Sequence, residues 1–187
     1  MNSVKEYFET QARLFNQLNT APVDQVIARL ERARTEGRRI FLFGNGGSAA
    51  TASHFACDLG KGTIQPDRPR LQVISLADNL ATLTAYANDF GFETIFAEPL
   101  ITLAQPGDVA IAFTASGNSP NVVRAVQAAK EIGVTTIGFT GFDGGRTKDA
   151  VDVNVHVPIH SFPHVEDIHL ALTHAICEML KLPHAPH

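Results

Sequence analysis

The sequence has no tryptophan, two tyrosines and only two cysteines, Cys57 and Cys177. Two cysteines are too few for a disulfide framework, and both lie in helix-like apolar segments, so we expect reduced, buried thiols. No run reaches the ~18 consecutive apolar residues that a membrane-spanning helix needs. The N-terminal segment also lacks the apolar core of a signal peptide. These absences predict a cytoplasmic protein with no membrane partner.

Charged residues are sparse as well. They make up 18% of the chain, and 15 basic against 19 acidic residues leave a net charge of −4. Without a dense basic stripe or a helix-turn-helix segment, a nucleic-acid partner is not expected. A length of 187 residues fits one domain with a sizeable core. We therefore predict a single domain over residues 1–187, with an N-terminal helical extension over 1–36 and an α/β core over 37–182.

Two helices are predicted before the first strand. Apolar residues recur every three or four positions from Val4 to Leu18, and Pro22 opens a second helix that continues to about Glu36. The apolar faces of these helices either complete the core or pack against another subunit.

From residue 40 onward, short apolar runs alternate with helix-like stretches. Such runs are typical of strands covered on both faces, and the alternation predicts a parallel sheet with helices on both sides. The predicted strands are 40–43, 71–76, 109–114, 135–140 and 151–157, and the predicted helices between and after them are 48–59, 80–88, 94–103, 121–132 and 165–180.

Two segments that join a strand to a helix carry the residues of an anion site. The first contains Asn45, Gly46, Gly47 and Ser48, where glycines permit close backbone approach and the helix start offers unpaired N–H groups. The second, residues 114–121, brings the hydroxyls of Thr114, Ser116 and Ser119 around one glycine. Neither segment is a Walker motif or a G-x-G-x-x-G fingerprint, so a dinucleotide is disfavoured. Because ligands of open α/β sheets lie at the carboxyl ends of strands, we predict a phosphate site there.

These segments closely resemble the sugar isomerase (SIS) family, and within it the phosphoheptose isomerase branch. The residues that carry the resemblance are 44–50, 88–92, 116–119 and 140–145. The resemblance implies the SIS fold, a three-layer α-β-α sandwich with a five-stranded parallel sheet, and a homotetramer with active sites between subunits. It implies an aldose–ketose isomerase that acts on a phosphorylated sugar through an enediolate. The most specific expectation is conversion of sedoheptulose 7-phosphate to D-glycero-D-manno-heptose 7-phosphate, a step of heptose biosynthesis.

The resemblance also implies a metal site. The branch carries His-Phe-Ala-x-Glu and Gln-x-x-His-x-x-x-x-His, which here read His54 to Asp58 and Glu166 to His174. The implied ligands of one zinc or other divalent ion per subunit are His54, Asp58, Glu166 and His174. From spacing alone, His54 and Asp58 share a helix face and could hold zinc, but two solvated helix faces with ordinary histidines would look the same.

The resemblance also implies which residues are catalytic and which bind the substrate. Asp58 and His174 are the expected catalytic pair, and which of them is the base stays open. The expected substrate-binding residues are Asn45, Gly46, Gly47, Ser48, Asn88, Asp89, Thr114, Ser116 and Ser119.

Departures from the family pattern keep alternatives open. Asp58 stands where the family has Glu, and Glu166 stands where it has Gln, so the identity of the sugar is not fixed. One alternative is an isomerase of another sugar phosphate. Another is a non-catalytic tetrameric adaptor of the kind that binds a bacterial replication initiator. That branch lacks the family's acid and last histidine, so the presence of Asp58 and His174 favours an enzyme.

Overall fold

In the computed structural model, which describes residues 3–182, five parallel strands form one sheet in the order β2-β1-β3-β4-β5. The ends of the predicted domain, residues 1–2 and 183–187, lie outside the described residues. Helices cover both faces of the sheet, which confirms the predicted three-layer α/β fold. The strands are β1 Arg39–Gly44, β2 Gln72–Ser75, β3 Val109–Thr114, β4 Thr135–Thr140 and β5 Val153–His156.

The helices alternate with these strands along the chain. They are α1 Val4–Gln17, α2 Ala21–Glu36, α3 Gly47–Cys57, α4 Leu80–Phe90, α5 Ala97–Leu103, α6 Pro120–Ile132, α7 Gly145–Ala150 and α8 Phe162–Lys181. A π-helix, Asp58–Gly62, continues α3, and a 3₁₀ turn, Phe92–Thr94, precedes α5. Helix α7 and the π-helix were not predicted, and the expectation of a buried thiol was wrong for Cys57, which is exposed. Within residues 3–182, no helix combines the length and apolar character needed to cross a bilayer.

Helix α2 completes the core on one face of the sheet. Its Val26 and Leu30 are fully buried in the cluster that also contains Phe55 of α3 and Ile168 of α8. The opposite face of the sheet is covered by a second cluster, which includes Phe96 and Val126. For α2, the structure therefore selects the core over a subunit interface.

Helix α1 buries a polar side chain and exposes large apolar ones. It buries the polar Gln11, whereas Val4 is 74% exposed and Phe8 is 64% exposed. Its contact with α8 is made by polar groups. The ring of Tyr7 stacks on His164 at 4.2 Å, and His164 Nδ1 donates to Gln11 Oε1 at 2.6 Å. The Tyr7 hydroxyl donates to the Asp167 carboxylate, which raises the pKa of Tyr7 to about 12. Val4 and Phe8 are thus left facing outward, whereas Leu14 is partly buried against the core.

Candidate functional site

The two predicted anion-binding segments lie side by side, because β1 and β3 are neighbours in the sheet and both segments follow the carboxyl ends of these strands. A cavity of about 100 Å³ lies between them. This is well below the roughly 300–1,000 Å³ of sites for drug-sized ligands, so the cavity suits a compact group. It is lined by Asn45, Ser48, Phe113, Thr114, Ala115, Ser116, Ser119, Phe162 and Glu166.

Glycines permit the close approach of the first segment to the second. A Cβ on Gly44 would lie 2.7 Å from the carbonyl oxygen of Phe113 in the adjacent strand. Gly46, at the N-cap of α3, has a φ of 55°, which favours glycine. In the first turn of α3, Ala49 N donates a hydrogen bond to Asn45 O at 3.3 Å. The N–H groups of Gly47 and Ser48 precede that bond and belong to the positive end of the helix, where an anion is stabilised.

The second segment contributes hydroxyl groups. Thr114 Oγ1 accepts from Gly117 N at 3.2 Å, and Ser116 Oγ accepts from Asn118 N at 3.3 Å. Each hydroxyl keeps its own hydrogen to donate to a ligand. Ser119 is the N-cap of α6, and within residues 3–182 its side chain makes no capping bond. In the described part of the chain, no lysine or arginine lines the cavity. The donors here are therefore neutral.

A pair of amides joins the two segments. Asn45 Nδ2 donates to Asn121 Oδ1 at 2.9 Å, and Asn121 Nδ2 donates back to Asn45 Oδ1 at 2.8 Å. Asn121 lies in the first turn of α6, and its Oδ1 also accepts from Val122 N at 3.0 Å. The sequence analysis assigned no role to Asn121.

A second group of polar side chains lies further along α3 and α8. His54 Nε2 and His174 Nε2 are 3.2 Å apart, and Asp58 Oδ2 is 3.2 Å from the first and 3.8 Å from the second. A tetrahedral zinc with bonds of about 2.0–2.1 Å separates its ligand atoms by about 3.3 Å. The three donors therefore fit a zinc ion, and three protein ligands leave one position open, as in catalytic zinc sites.

The π-helix begins at Asp58, directly after the last residue of α3. Wide turns of this kind are rare and occur often at functional sites. Thr63 Oγ1 closes the segment by donating to Leu59 O at 2.7 Å. The Asp58 carboxylate thus lies where the hydrogen-bond pattern changes from that of an α-helix to that of a π-helix.

Glu166, the fourth implied ligand, does not belong to the His54–Asp58–His174 group in the described chain. Its carboxylate lies at the start of α3, where a Cβ on Gly47 would be 2.5 Å from Glu166 Oε2. Helices α3 and α8 run in parallel, so Glu166 pairs with the first turn of α3 and His174 with its end. A metal-ligand role for Glu166 stays a prediction, and its carboxylate in this structure lines the cavity.

Asn88 and Asp89 lie apart from the cavity. They are exposed near the end of α4, where Asn88 Nδ2 donates to Asp89 Oδ1 at 2.8 Å. Neither is among the residues within 3–182 that line the cavity. Of the predicted substrate-binding side chains, the structure brings Asn45, Ser48, Thr114, Ser116 and Ser119 together.

Two buried side chains near these groups are held neutral by their surroundings. Burial, together with the negative charge of Asp58, raises the pKa of the Cys177 thiol to about 12. Burial lowers the pKa of His169 to about 4, although its Nε2 donates to Thr140 O at 3.3 Å. His169 thus joins α8 to the end of β4 as a neutral imidazole.

Comparison with known proteins agrees with this fold. A family model described as SIS domain matches residues 6–141. The chain belongs to this family. A phosphoheptose isomerase of Aquifex aeolicus is 38% identical over 184 residues, which cover 97% of this chain and 96% of the relative. A phosphoheptose isomerase of Trichlorobacter lovleyi is 40% identical over 162 residues, which cover 87% and 82%.

The solved structure of a phosphoheptose isomerase from Neisseria gonorrhoeae superimposes with a TM-score of 0.87 at 31% identity, covering 95% of this chain and 96% of that one. The resemblance to the phosphoheptose isomerase branch of the SIS family is confirmed, and so is the prediction of an enzyme. This SIS protein is a sugar-phosphate isomerase.

Proposed function

We propose that this SIS isomerase interconverts sedoheptulose 7-phosphate and D-glycero-D-manno-heptose 7-phosphate. The observation that carries the proposal is the position of two sites on one pair of parallel helices. A small cavity lined with neutral donors lies at the start of α3 and α8, and the His54–Asp58–His174 group lies about two turns further along. The relatives named phosphoheptose isomerase support the same reaction.

The spacing of these sites supports a long sugar. Gly47 and His54 are seven residues apart, which is about 10 Å of helix rise. An extended chain advances about 1.2 Å per bond. Seven bonds separate the phosphorus of a heptose 7-phosphate from C2, which gives about 8 Å, whereas five bonds in a pentose 5-phosphate give about 6 Å. With the phosphate in the cavity, a heptose brings C1 and C2 closer to Asp58 and His174.

In this proposal the hydroxyls of Ser48, Ser116 and Ser119 and the start of α3 bind the phosphate, and this binding orients the reacting carbons. Asp58 or His174 removes the proton from the carbon beside the carbonyl, and the other returns a proton to the neighbouring carbon or oxygen. His54, Asp58 and His174 would hold a divalent ion such as zinc, one per subunit, which would polarise the sugar oxygens. Glu166 is the predicted fourth ligand, and its carboxylate would have to leave the cavity to reach this group.

We further propose that the enzyme is a cytoplasmic homotetramer built from a single SIS domain. The exposed apolar side chains of α1 and α4 support an assembly, since Phe8 and Phe90 are each 64% exposed. Asn88 and Asp89 lie at the end of α4, away from the cavity of their own chain. In an assembly they would contribute to the substrate site of a neighbouring subunit.

The test is turnover of sedoheptulose 7-phosphate by metal-replete protein, followed by NMR as the aldoheptose forms. Asp58→Asn and His174→Ala are expected to lower kcat by at least about 100-fold, since a positioned acid or base contributes roughly 10²–10⁴. Glu178→Gln, which makes the same kind of change on the exposed side of α8, is the matched control and should retain activity.

Each outcome leads to one conclusion. Loss of turnover in both variants supports the reaction and the assigned pair. Turnover that survives in both variants overturns the assignment of the pair. Turnover of a pentose or hexose phosphate alone identifies another sugar-phosphate isomerase. Binding of sugar phosphates without any turnover favours the adaptor.

A further inference from the structure

The amide pair between Asn45 and Asn121 links segments that are far apart in sequence. The two residues are separated by 76 positions, yet each amide both donates to and accepts from the other, at 2.9 and 2.8 Å. Asn121 is 1% exposed. A buried amide that loses its partner keeps the full cost of its lost hydration, so neither member of such a pair can be removed without penalty.

Each partner is tied to a different wall of the cavity. Asn45 stands between β1 and α3 and lines the cavity directly. Asn121 is fixed in the first turn of α6, where its Oδ1 accepts from Val122 N at 3.0 Å. Since α6 follows Ser116 and Ser119 without a break, the pair sets the separation between the start of α3 and the hydroxyls of the second segment.

The pair also restricts what Asn45 can do for a ligand. Its Oδ1 accepts from Asn121, and one hydrogen of its Nδ2 is donated to Asn121. A single N–H is left, because an amide nitrogen carries two hydrogens. The amide of Asn45 is therefore used mainly to join the segments.

We propose that Asn121 is a positioning residue of the phosphate site and that Asn45 acts through its pairing with Asn121. The pair holds the two segments at the separation at which their N–H and O–H groups converge on one phosphate. This inference rests on the assignment of the cavity to phosphate in the proposed function. Asn121 itself is not a residue that touches the substrate.

The test uses Asn45→Ala, Asn121→Ala and the double variant. We expect either single change to raise the KM for sedoheptulose 7-phosphate and the Kd for inorganic phosphate about tenfold, with kcat changed less than about threefold. Because the two amides work as a unit, the Kd of the double variant for phosphate should be at most about twofold higher than that of the single variant with the higher Kd. Phosphate binding by isothermal titration calorimetry gives a readout that does not depend on turnover.

Asp152→Ala is the matched structural control. Asp152 Oδ2 accepts from Thr136 N at 2.7 Å and from Thr136 Oγ1 at 2.8 Å, at the amino end of β4 and away from the cavity. We expect this variant to lower Tm without changing the KM or the Kd for phosphate. If the amide variants acted only through a general loss of stability, Asp152→Ala would change the KM and the Kd for phosphate as well.

The outcomes separate this inference from the proposed function. If the Asn45 and Asn121 variants bind phosphate more weakly than the wild type, but the wild type converts no heptose phosphate, the proposed reaction alone is overturned. Unchanged phosphate affinity in Asn121→Ala, or additive losses in the double variant, overturns the positioning role alone. Wild-type protein that binds neither inorganic phosphate nor sedoheptulose 7-phosphate overturns both.

Discussion

At the scale of single residues, Glu166 brings a negative charge to a cavity whose other polar groups are neutral donors. Its carboxylate lies beside Gly47 at the start of α3, where the helix dipole favours a negative group. A bound phosphate would be stabilised at the same place for the same reason. The two anions therefore repel each other whenever no cation lies between them.

Glu166→Gln is expected to strengthen phosphate binding to the metal-free protein by at least about threefold, or about 0.7 kcal/mol. The amide keeps the size of the side chain and removes the repulsion. The measurement is the Kd of inorganic phosphate by calorimetry after dialysis against a chelator. Glu178→Gln on the same helix serves as the charge-matched control. Weaker phosphate binding in Glu166→Gln would contradict the repulsion.

The grouping of Asn45, Ser48, Thr114 and Ser116 around one cavity could largely be predicted from the sequence, because they stand in short segments directly after apolar strands. The pairing of Asn121 with Asn45 could not, since the two residues are 76 positions apart and amide pairing leaves no periodic signal. The position of the Glu166 carboxylate depends on the packing of α8 against α3, which spacing along one helix does not determine.

At the scale of secondary structure elements, the short apolar runs identified the strands well, with β3 and β4 matching their predicted bounds. Helix α7 was missed because its six residues bury Thr147 and are too few for an apolar period. The π-helix was missed because Asp58–Gly62 differs from an α-helix in hydrogen bonding rather than in composition.

Helix α8 should make stability depend on pH through His169. Burial lowers its pKa to about 4 in the folded state, whereas an unfolded histidine titrates near 6.5. The unfolded state therefore binds the proton more readily. The contribution of neutral His169 is complete above pH 6.5 and is lost as the pH falls toward 4.

Between pH 7 and pH 5 we expect the free energy of unfolding to fall by roughly 1–2 kcal/mol more in the wild type than in His169→Leu. Urea unfolding at the two pH values and one protein concentration measures the difference. The exposed His160 provides the control variant His160→Gln, which should keep the wild-type pH dependence. An equal pH dependence in wild type and His169→Leu would rule out His169 as the source.

At the scale of the whole molecule, the distribution of polarity on α1 is the feature that bears on assembly. The helix packs on α8 through Tyr7 and Gln11 and presents Val4 and Phe8 outward. Leu80 and Phe90 of α4 are exposed as well. Apolar surface of this kind is typical of protein–protein contacts.

Phe8→Glu is expected to reduce the mass of the particle in solution, because a charge in an apolar interface opposes association. Light scattering after size exclusion measures the mass, and turnover of sedoheptulose 7-phosphate should fall with it. Glu9→Lys changes the charge of the neighbouring exposed residue and should leave both unchanged. A monomeric wild-type protein, or an unchanged mass in Phe8→Glu, would exclude α1 from the interface.

The pairing of Asn45 with Asn121 also bears on how the enzyme ages. Asn45 is followed by Gly46, and an asparagine before glycine is the dipeptide most prone to deamidation through a cyclic imide. That reaction needs the side-chain carbonyl to swing onto the next backbone nitrogen, and hydrogen bonds at both ends of the amide oppose the swing. Deamidation would replace the donor with a carboxylate facing Asn121 Oδ1. We therefore expect the pairing of Asn45 with Asn121 to slow deamidation at this position.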